Sequence, residues 1–301
     1  MRKQGALAAG AAAVTVVLWA SAFVAIRHVG QELSAGALSL GRLLVGSVVL
    51  GIFVFMRPRR WPVRADWKFL LACGLLWFGV YNLALNEAER HLDAGTTAML
   101  VNIGPLLIAL LAGLLLQEGF PRQLVIGSLV AFGGVVLIGA SSSHGSAETW
   151  GVVLCLVAAA AYAIGVVSQK PLLARLPALE VTWLSCVIGA VACLPFGPAL
   201  VREIGPSNVW WVVFLGAFPT AIAFTTWAYA LARTTAGRMG ATTYLVPPLA
   251  IALGWLLLGE SPAPLAFGGG ALCLAGVAIS RYRARPATKV DSPASKPLSK
   301  S

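Results

Sequence analysis

Two stretches of this chain carry one pattern written twice: AGTTAMLVNIGPLLIALLAGLLLQE at residues 94–118 and AGRMGATTYLVPPLAIALGWLLLGE at residues 236–260. In each, an Ala-Gly pair opens an apolar run, a proline interrupts it and a glutamate closes it. Ala94-Gly95, Pro105 and Glu118 recur as Ala236-Gly237, Pro247 and Glu260, all displaced by 142 residues. Further on, Gly127 and Gly133 recur as Gly270 and Gly276, displaced by 143. Each copy holds five apolar segments, an odd number, so the second copy must enter a membrane in the opposite sense. Inverted repeats with proline-broken helices at matching places point to a transporter whose solute site lies where the repeats meet.

Composition requires the membrane. Of 301 residues, 58% are hydrophobic and only 11% charged, where a soluble domain carries roughly 25% charged residues. Uncharged runs extend over 5–26, 94–117, 149–169, 181–201, 204–232, 239–259 and 261–280, and about 20 apolar residues span a bilayer as a helix. Only helices and closed barrels satisfy the backbone in lipid, and barrel strands are half this length with alternating polarity. The pattern predicts ten transmembrane helices at 6–26, 33–56, 67–88, 95–117, 122–141, 149–169, 178–200, 207–231, 238–258 and 263–281. The fold class is therefore an all-α membrane protein, with inverted five-helix repeats at 6–141 and 149–281.

The net charge of +11 does not call for a nucleic-acid partner, because of where it lies. With residues 1–5 in the cytoplasm, all but four of the 22 Lys and Arg residues are inside; Arg27, Arg90 and Arg202 are outside and Arg42 is within a span. This is the positive-inside pattern, and it predicts both termini in the cytoplasm. Ala20-Ser21-Ala22 imitates a signal-peptide cleavage site, but the apolar stretch is too long for one, so it is read as an uncleaved first helix. Cys73, Cys155, Cys186, Cys193 and Cys273 fall inside spans without metal spacing and read as small packing residues. Residues 286–301 are polar and proline-rich, the composition of a disordered tail.

Trp19-Ala20-Ser21-Ala22-Phe23 in the first helix, Arg42 inside the second, and Glu118 or Glu260 followed about nine residues later by a Gly-x5-Gly helix together resemble the EamA-type drug/metabolite transporters. The resemblance covers residues 6–281. It implies a basket of helices around a central cavity, lined mainly by helices 1, 3, 4, 6, 8 and 9. The spread of aromatic residues is similar to that of members exporting aromatic amino acids. Helix 6, with Ala158 to Ala161, departs from the pattern by lacking a counterpart of Trp19.

Candidate site residues follow from the sparse polar and aromatic positions in the spans. Asn82 and Asn86, four apart, share one face of helix 3; Asn102 sits one turn before Pro105. These amides can bond a solute or a neighbouring helix. With Trp19, Tyr81, Tyr162, Trp227 and Tyr244 they form the expected substrate lining, suited to flat or amphipathic solutes. Pro105, Pro247 and Pro248 are expected to kink helices 4 and 9 near the midplane. Arg42 is expected to be structural, snorkelling or binding carbonyls. Glu118 and Glu260 are expected to cap the helix that follows each of them, and the Gly-x5-Gly positions to pack helices 5 and 10. No acidic cluster marks a cation or metal site, and no basic pair marks a phosphate site.

The expected function is a secondary transporter in a bacterial inner membrane, exporting small neutral or zwitterionic metabolites, amino acids first and aromatic ones preferred, by alternating access. It needs a small-molecule substrate and a bilayer, no cofactor, metal or nucleic acid, and acts as a monomer or weak homodimer. The alternatives are an exporter of drugs or other metabolites on the same fold and, remotely, an intramembrane enzyme. The last is disfavoured because His28, His91 and His144 all lie in outer loops.

Overall fold

Long apolar blocks wind into helices throughout the computed structural model, which describes residues 2–30, 32–91, 94–142, 149–258 and 264–281. In the first half these are α1 (Arg2–Val29), α2 (Ala35–Phe55), α3 (Trp67–Ala72), α4 (Tyr81–His91), α5 (Ala94–Val101), α6 (Gly104–Leu115) and α7 (Arg122–Ser142). In the second they are α8 (Thr149–Leu172), α9 (Ala178–Ala192), α10 (Gly197–Glu203), α11 (Val209–Leu215), α12 (Ala223–Leu231), α13 (Ala236–Thr242), α14 (Val246–Leu258) and α15 (Pro264–Arg281). No strand occurs among the described residues. Among the described residues, six helical stretches are long and apolar enough to cross a bilayer, seven if a bent pair counts as one span. The segments expected at 95–117, 122–141 and 263–281 are also helical where described, as α5 with α6, α7, and α15.

The spans are broken in places the periodicity did not reveal. The seventh expected helix, 178–200, bends by 53° between α9 and α10, where Pro195 and Pro198 withhold two backbone donors. The fourth breaks at Asn102-Ile103, so Pro105 opens the second half-helix rather than kinking a continuous one. That position tolerates proline because the first turn has no partner for its N–H groups. The ninth does the same: a tight 3-10 turn, Thr243–Leu245, separates α13 from α14, with Pro247 and Pro248 in the first turn of α14.

A second matched pair of irregularities is a π-helical stretch in each half. Cys73–Val80 joins α3 to α4 and Gly216–Ile222 joins α11 to α12, at the same 142-residue displacement (Val80 against Ile222). Only the second contains a proline, Pro219. A wider turn weakens the helical ladder, and side chains take up the slack. Asn82 Nδ2 donates to Phe78 O at 2.8 Å, and Thr220 Oγ1 donates to Leu215 O at 2.8 Å.

The two halves interlock through glycines. A Cβ on Gly74 would meet Ile188 at 2.6 Å and Ser185 O at 2.9 Å, both on α9. Its counterpart Gly216 would meet Val45 at 2.5 Å and Arg42 O at 2.8 Å, on α2. The inner segment of each half thus lies backbone-close against a helix of the other, the arrangement that stabilises helices where lipid removes the hydrophobic driving force.

α7 packs along α15. A Cβ on Gly127 would come within 2.5 Å of Gly276 O, and one on Gly134 within 2.5 Å of Gly269 O. The pairing 127 with 276 and 134 with 269 runs the helices antiparallel. The expected packing positions need two corrections: Gly133 has nothing within 4 Å of a Cβ, and Gly134 makes the close approach instead, to Gly269 and not to Gly270. Gly270 faces only Pro248 Cβ, at 3.4 Å. The Gly-x5-Gly spacing is within a residue of a helical repeat, and the structure selects the neighbour that faces the partner.

The outer surface is apolar. Val48, Ile52, Leu114, Leu115, Leu256, Leu257 and Leu274 are all exposed, which only lipid makes favourable. Trp61, Trp150 and Trp210 are exposed near helix ends, where indole rings anchor at the interface. The five cysteines are buried and unbridged.

Candidate functional site

The helices of both halves line a cavity between them. Its walls climb α1 from Trp19 through Ala22 and Phe23 to Ile26, and climb the third expected span from Trp77 through Tyr81 to Leu85. Arg42, Asn102, Tyr162, Phe224, Thr243 and Val246 complete its sides. The cavity holds about 50 Å3, well below the roughly 300–1,000 Å3 of small-molecule sites, so its walls must part to admit a solute.

Aromatic rings make the floor. Trp19 is their hub, with ring centroids 5.0 Å from Trp227, 5.3 Å from Phe224, 6.1 Å from Trp77 and 6.5 Å from Tyr162. Edge-to-face and tilted pairs of this kind each add to the energy of burial. Trp19 Nε1 donates to Pro219 O at 3.3 Å, so the π-helical stretch of the second half orients the central ring of the first.

Below this floor the helices are shut. Glu118 accepts hydrogen bonds from Ala236 N at 2.8 Å and Gly237 N at 3.3 Å. Lys170 Nζ donates to Leu231 O at 2.6 Å and also to Thr234 O. An acid therefore sits on the N-terminus of α13 and a base on the C-terminus of α12, each at the end its charge favours. Asp66 pairs with Arg175 on the same side. The cavity walls lead the other way, toward the end where α1 and α4 finish.

The expected lining residues divide. Trp19, Tyr81, Asn102 and Tyr162 face the cavity, and Trp227 stands behind Trp19 as part of the floor. Asn82, Asn86 and Tyr244 are not among the lining residues. Asn82 is spent on the carbonyls of its own loosened turn, and Asn86 Nδ2 donates to Ser39 Oγ at 2.9 Å. Tyr244 is fully buried with Ala131, Ala241 and Cys273 against α7 and α15. The break before Pro247 turns its ring outward from the axis, while the matching break leaves Asn102 on the cavity side.

Two charged residues also depart from expectation. Arg42, expected to snorkel or bind carbonyls, instead donates from Nε to Thr220 Oγ1 at 3.1 Å and is part of the cavity wall. Glu118 was expected to cap the following helix, α7, but caps α13 of the other half. The left-handed backbone at Gln117 and Gly119, φ 53° and 70°, reverses the chain there and aims the carboxylate across. Glu260 lies outside the described residues.

One residue was missed. Glu89 falls just past the expected end of the third span, 67–88, and reads as loop. The helix continues to His91, and both Glu89 carboxylate oxygens are buried without a hydrogen-bond partner. The signal was available: Trp77, Tyr81, Leu85 and Glu89 are spaced by four residues, one stripe of a helix. Among the described residues, no group of three or more His, Cys, Asp or Glu could hold a metal ion.

A helical bundle with a lipid-apolar surface, matched breaks and an aromatic-floored cavity closed at one end is a multi-pass membrane transporter. The chain belongs to the EamA-like transporter family, whose model matches it twice, at residues 6–140 and 149–282. It is 38% identical over 275 residues to a probable terminal-alkyne amino-acid exporter of Streptantibioticus cattleyicolor, covering 90% of this chain and 92% of that protein. It is 29% identical over 276 residues to the uncharacterized transporter YdfC of Bacillus subtilis, covering 91% and 90%. A solved crystal structure shares the fold, with a TM-score of 0.76 at 21% identity over 91% of this chain and 96% of that one.

Proposed function

We propose that this protein is a secondary transporter that exports small zwitterionic or neutral metabolites, amino acids first and aromatic ones preferred, across a bacterial inner membrane. Ten transmembrane helices in two inverted halves, with both termini in the cytoplasm, rock about the aromatic floor to expose it to one side at a time. The observation that carries the reading is the cavity's chemistry: a floor of Trp19, Trp77, Tyr162 and Phe224 beneath one cationic side chain, Arg42, among the lining residues. Such a wall suits a solute with an apolar body and a carboxylate, and offers little to a sugar phosphate or a metal ion. The relative named as a probable amino-acid exporter supports the same substrate class.

The test is transport by the purified full chain in proteoliposomes. Labelled phenylalanine should equilibrate down its gradient faster than into empty liposomes, and unlabelled tryptophan or tyrosine should compete. If phenylalanine and other neutral amino acids are not moved, the substrate class is wrong. A changed drug-resistance profile on overexpression would then favour a drug exporter of the same fold.

A further inference from the structure

Glu89 is a half-buried residue whose carboxylate neither the packing nor the closed end of the cavity uses. Its two carboxylate oxygens accept no hydrogen bond, and an ionised carboxylate in such a place is costly unless a cation meets it. It stands one turn beyond Leu85, the last lining residue on this helix, toward the open end and is not itself part of the lining. The groups acting on its charge are Arg27 of α1 and Arg42 of α2; Tyr81 of its own helix and Cys155 of α8 lie within its electrostatic reach. Arg42 spends its Nε on Thr220. Arg42 and Glu89 are near enough to feel each other, yet among the described residues they form no ion pair. Opposite charges held apart beside an apolar floor are an arrangement that a free amino acid can bridge.

We propose that Glu89 and Arg42 are the two poles of the solute site: Glu89 receives an ammonium group, Arg42 receives a carboxylate, and the side chain between them rests on Trp19, Trp77 and Phe224. The assignment deepens the amino-acid reading above and rests on it. It makes the site select zwitterions, because a solute lacking either charge leaves one buried pole unpaired. A proton competes with the ammonium for Glu89, so solute affinity falls as the pH is lowered toward protonation of that carboxylate.

The experiment uses the full chain in lipid nanodiscs, with tryptophan fluorescence as the binding signal and three probes: phenylalanine, phenethylamine and 3-phenylpropionate. The native protein should bind phenylalanine most tightly. Glu89→Gln should weaken phenylalanine and phenethylamine by about tenfold or more, leave 3-phenylpropionate within about twofold, and abolish the pH dependence. Glu89→Asp, which keeps the charge, should restore part of the preference and guards against misfolding as the cause. An unchanged ratio of phenethylamine to phenylpropionate affinity in Glu89→Gln overturns the proposal even where phenylalanine is transported. Glu89-dependent binding of phenethylamine without binding of phenylalanine overturns the Arg42 pole and the amino-acid reading while upholding the ammonium pole. Binding of none of the three overturns both.

Discussion

The carboxylate of Glu118 is bound to the backbone N–H of Ala236 at 2.8 Å, so the glutamate that closes one written copy of the repeat holds the Ala-Gly pair that opens the other. The sequence pattern and the closure of the cavity are thereby one fact. The matched residues do more than build equivalent halves: they hold one half to the other at the shut end.

Weakening that clasp should loosen the shut end. Glu118→Gln removes the charge from the N-terminus of α13 and should cost about 1 kcal/mol there, roughly a fivefold rise in the open population. Met239, buried on α13, reports it as Met239→Cys: a hydrophilic maleimide should label it about fivefold faster in the Glu118→Gln background. Equal labelling rates would show that the clasp does not hold the closed state.

The close approaches of α7 and α15 give a sharp contrast between neighbours. Gly127→Ala places a methyl group 2.5 Å from Gly276 O and should destabilise by about 1–3 kcal/mol. Gly133→Ala meets nothing within 4 Å and should leave the unfolding temperature unchanged. Thermal unfolding of both variants in detergent decides it, and equal shifts would refute the antiparallel register.

Thr220 ties the cavity charge to the loosened turn, accepting from Arg42 Nε and donating to Leu215 O. Thr220→Val removes both bonds at nearly the same volume and should destabilise by about 1–3 kcal/mol, since Arg42 loses its partner. Thr220→Ser should restore most of the loss. The measurement is again thermal unfolding, with transport rate as a second readout of where Arg42 points.

Trp19 touches four aromatic partners, whereas Tyr244 belongs to a buried cluster away from the cavity. Trp19→Ala should lower phenylalanine transport by about tenfold or more through loss of its packing surface. Tyr244→Phe should leave the rate within about twofold. Initial rates in proteoliposomes, normalised to inserted protein, separate the two, and a larger effect from Tyr244→Phe would reverse the assignment of lining residues.

Much of the architecture was legible in the chain. Hydrophobic length reports the free energy of transferring each segment into lipid, a sum over local residues that needs no partner. The matched Pro105 and Pro247 marked where helices 4 and 9 are irregular, because a missing N–H is a property of one residue, but they begin half-helices instead of kinking continuous ones. The cavity was legible only by half. Trp19, Tyr81, Asn102 and Tyr162 face it, while Asn82, Asn86 and Tyr244 have the same chemistry and turn to other partners. The π-helical stretch at Cys73–Val80 left no mark in composition, since a one-residue widening of a turn depends on what packs against it.

Sequence alone thus determined that this is a helical membrane protein with a repeated pattern and which positions lack a backbone donor, because those depend on local transfer energy and on single residues. The tertiary structure decided the rest. It is rotation about a helix axis that sends Asn102 into the cavity and its counterpart Tyr244 away. It is the reversal at Gln117–Gly119 that carries Glu118 to the other half instead of to the following helix. It is the extension of α4 to His91 that brings Glu89 out of a presumed loop and onto the helix, one turn beyond Leu85. Each of these depends on the neighbours a side chain meets across the bundle, which a linear pattern does not contain.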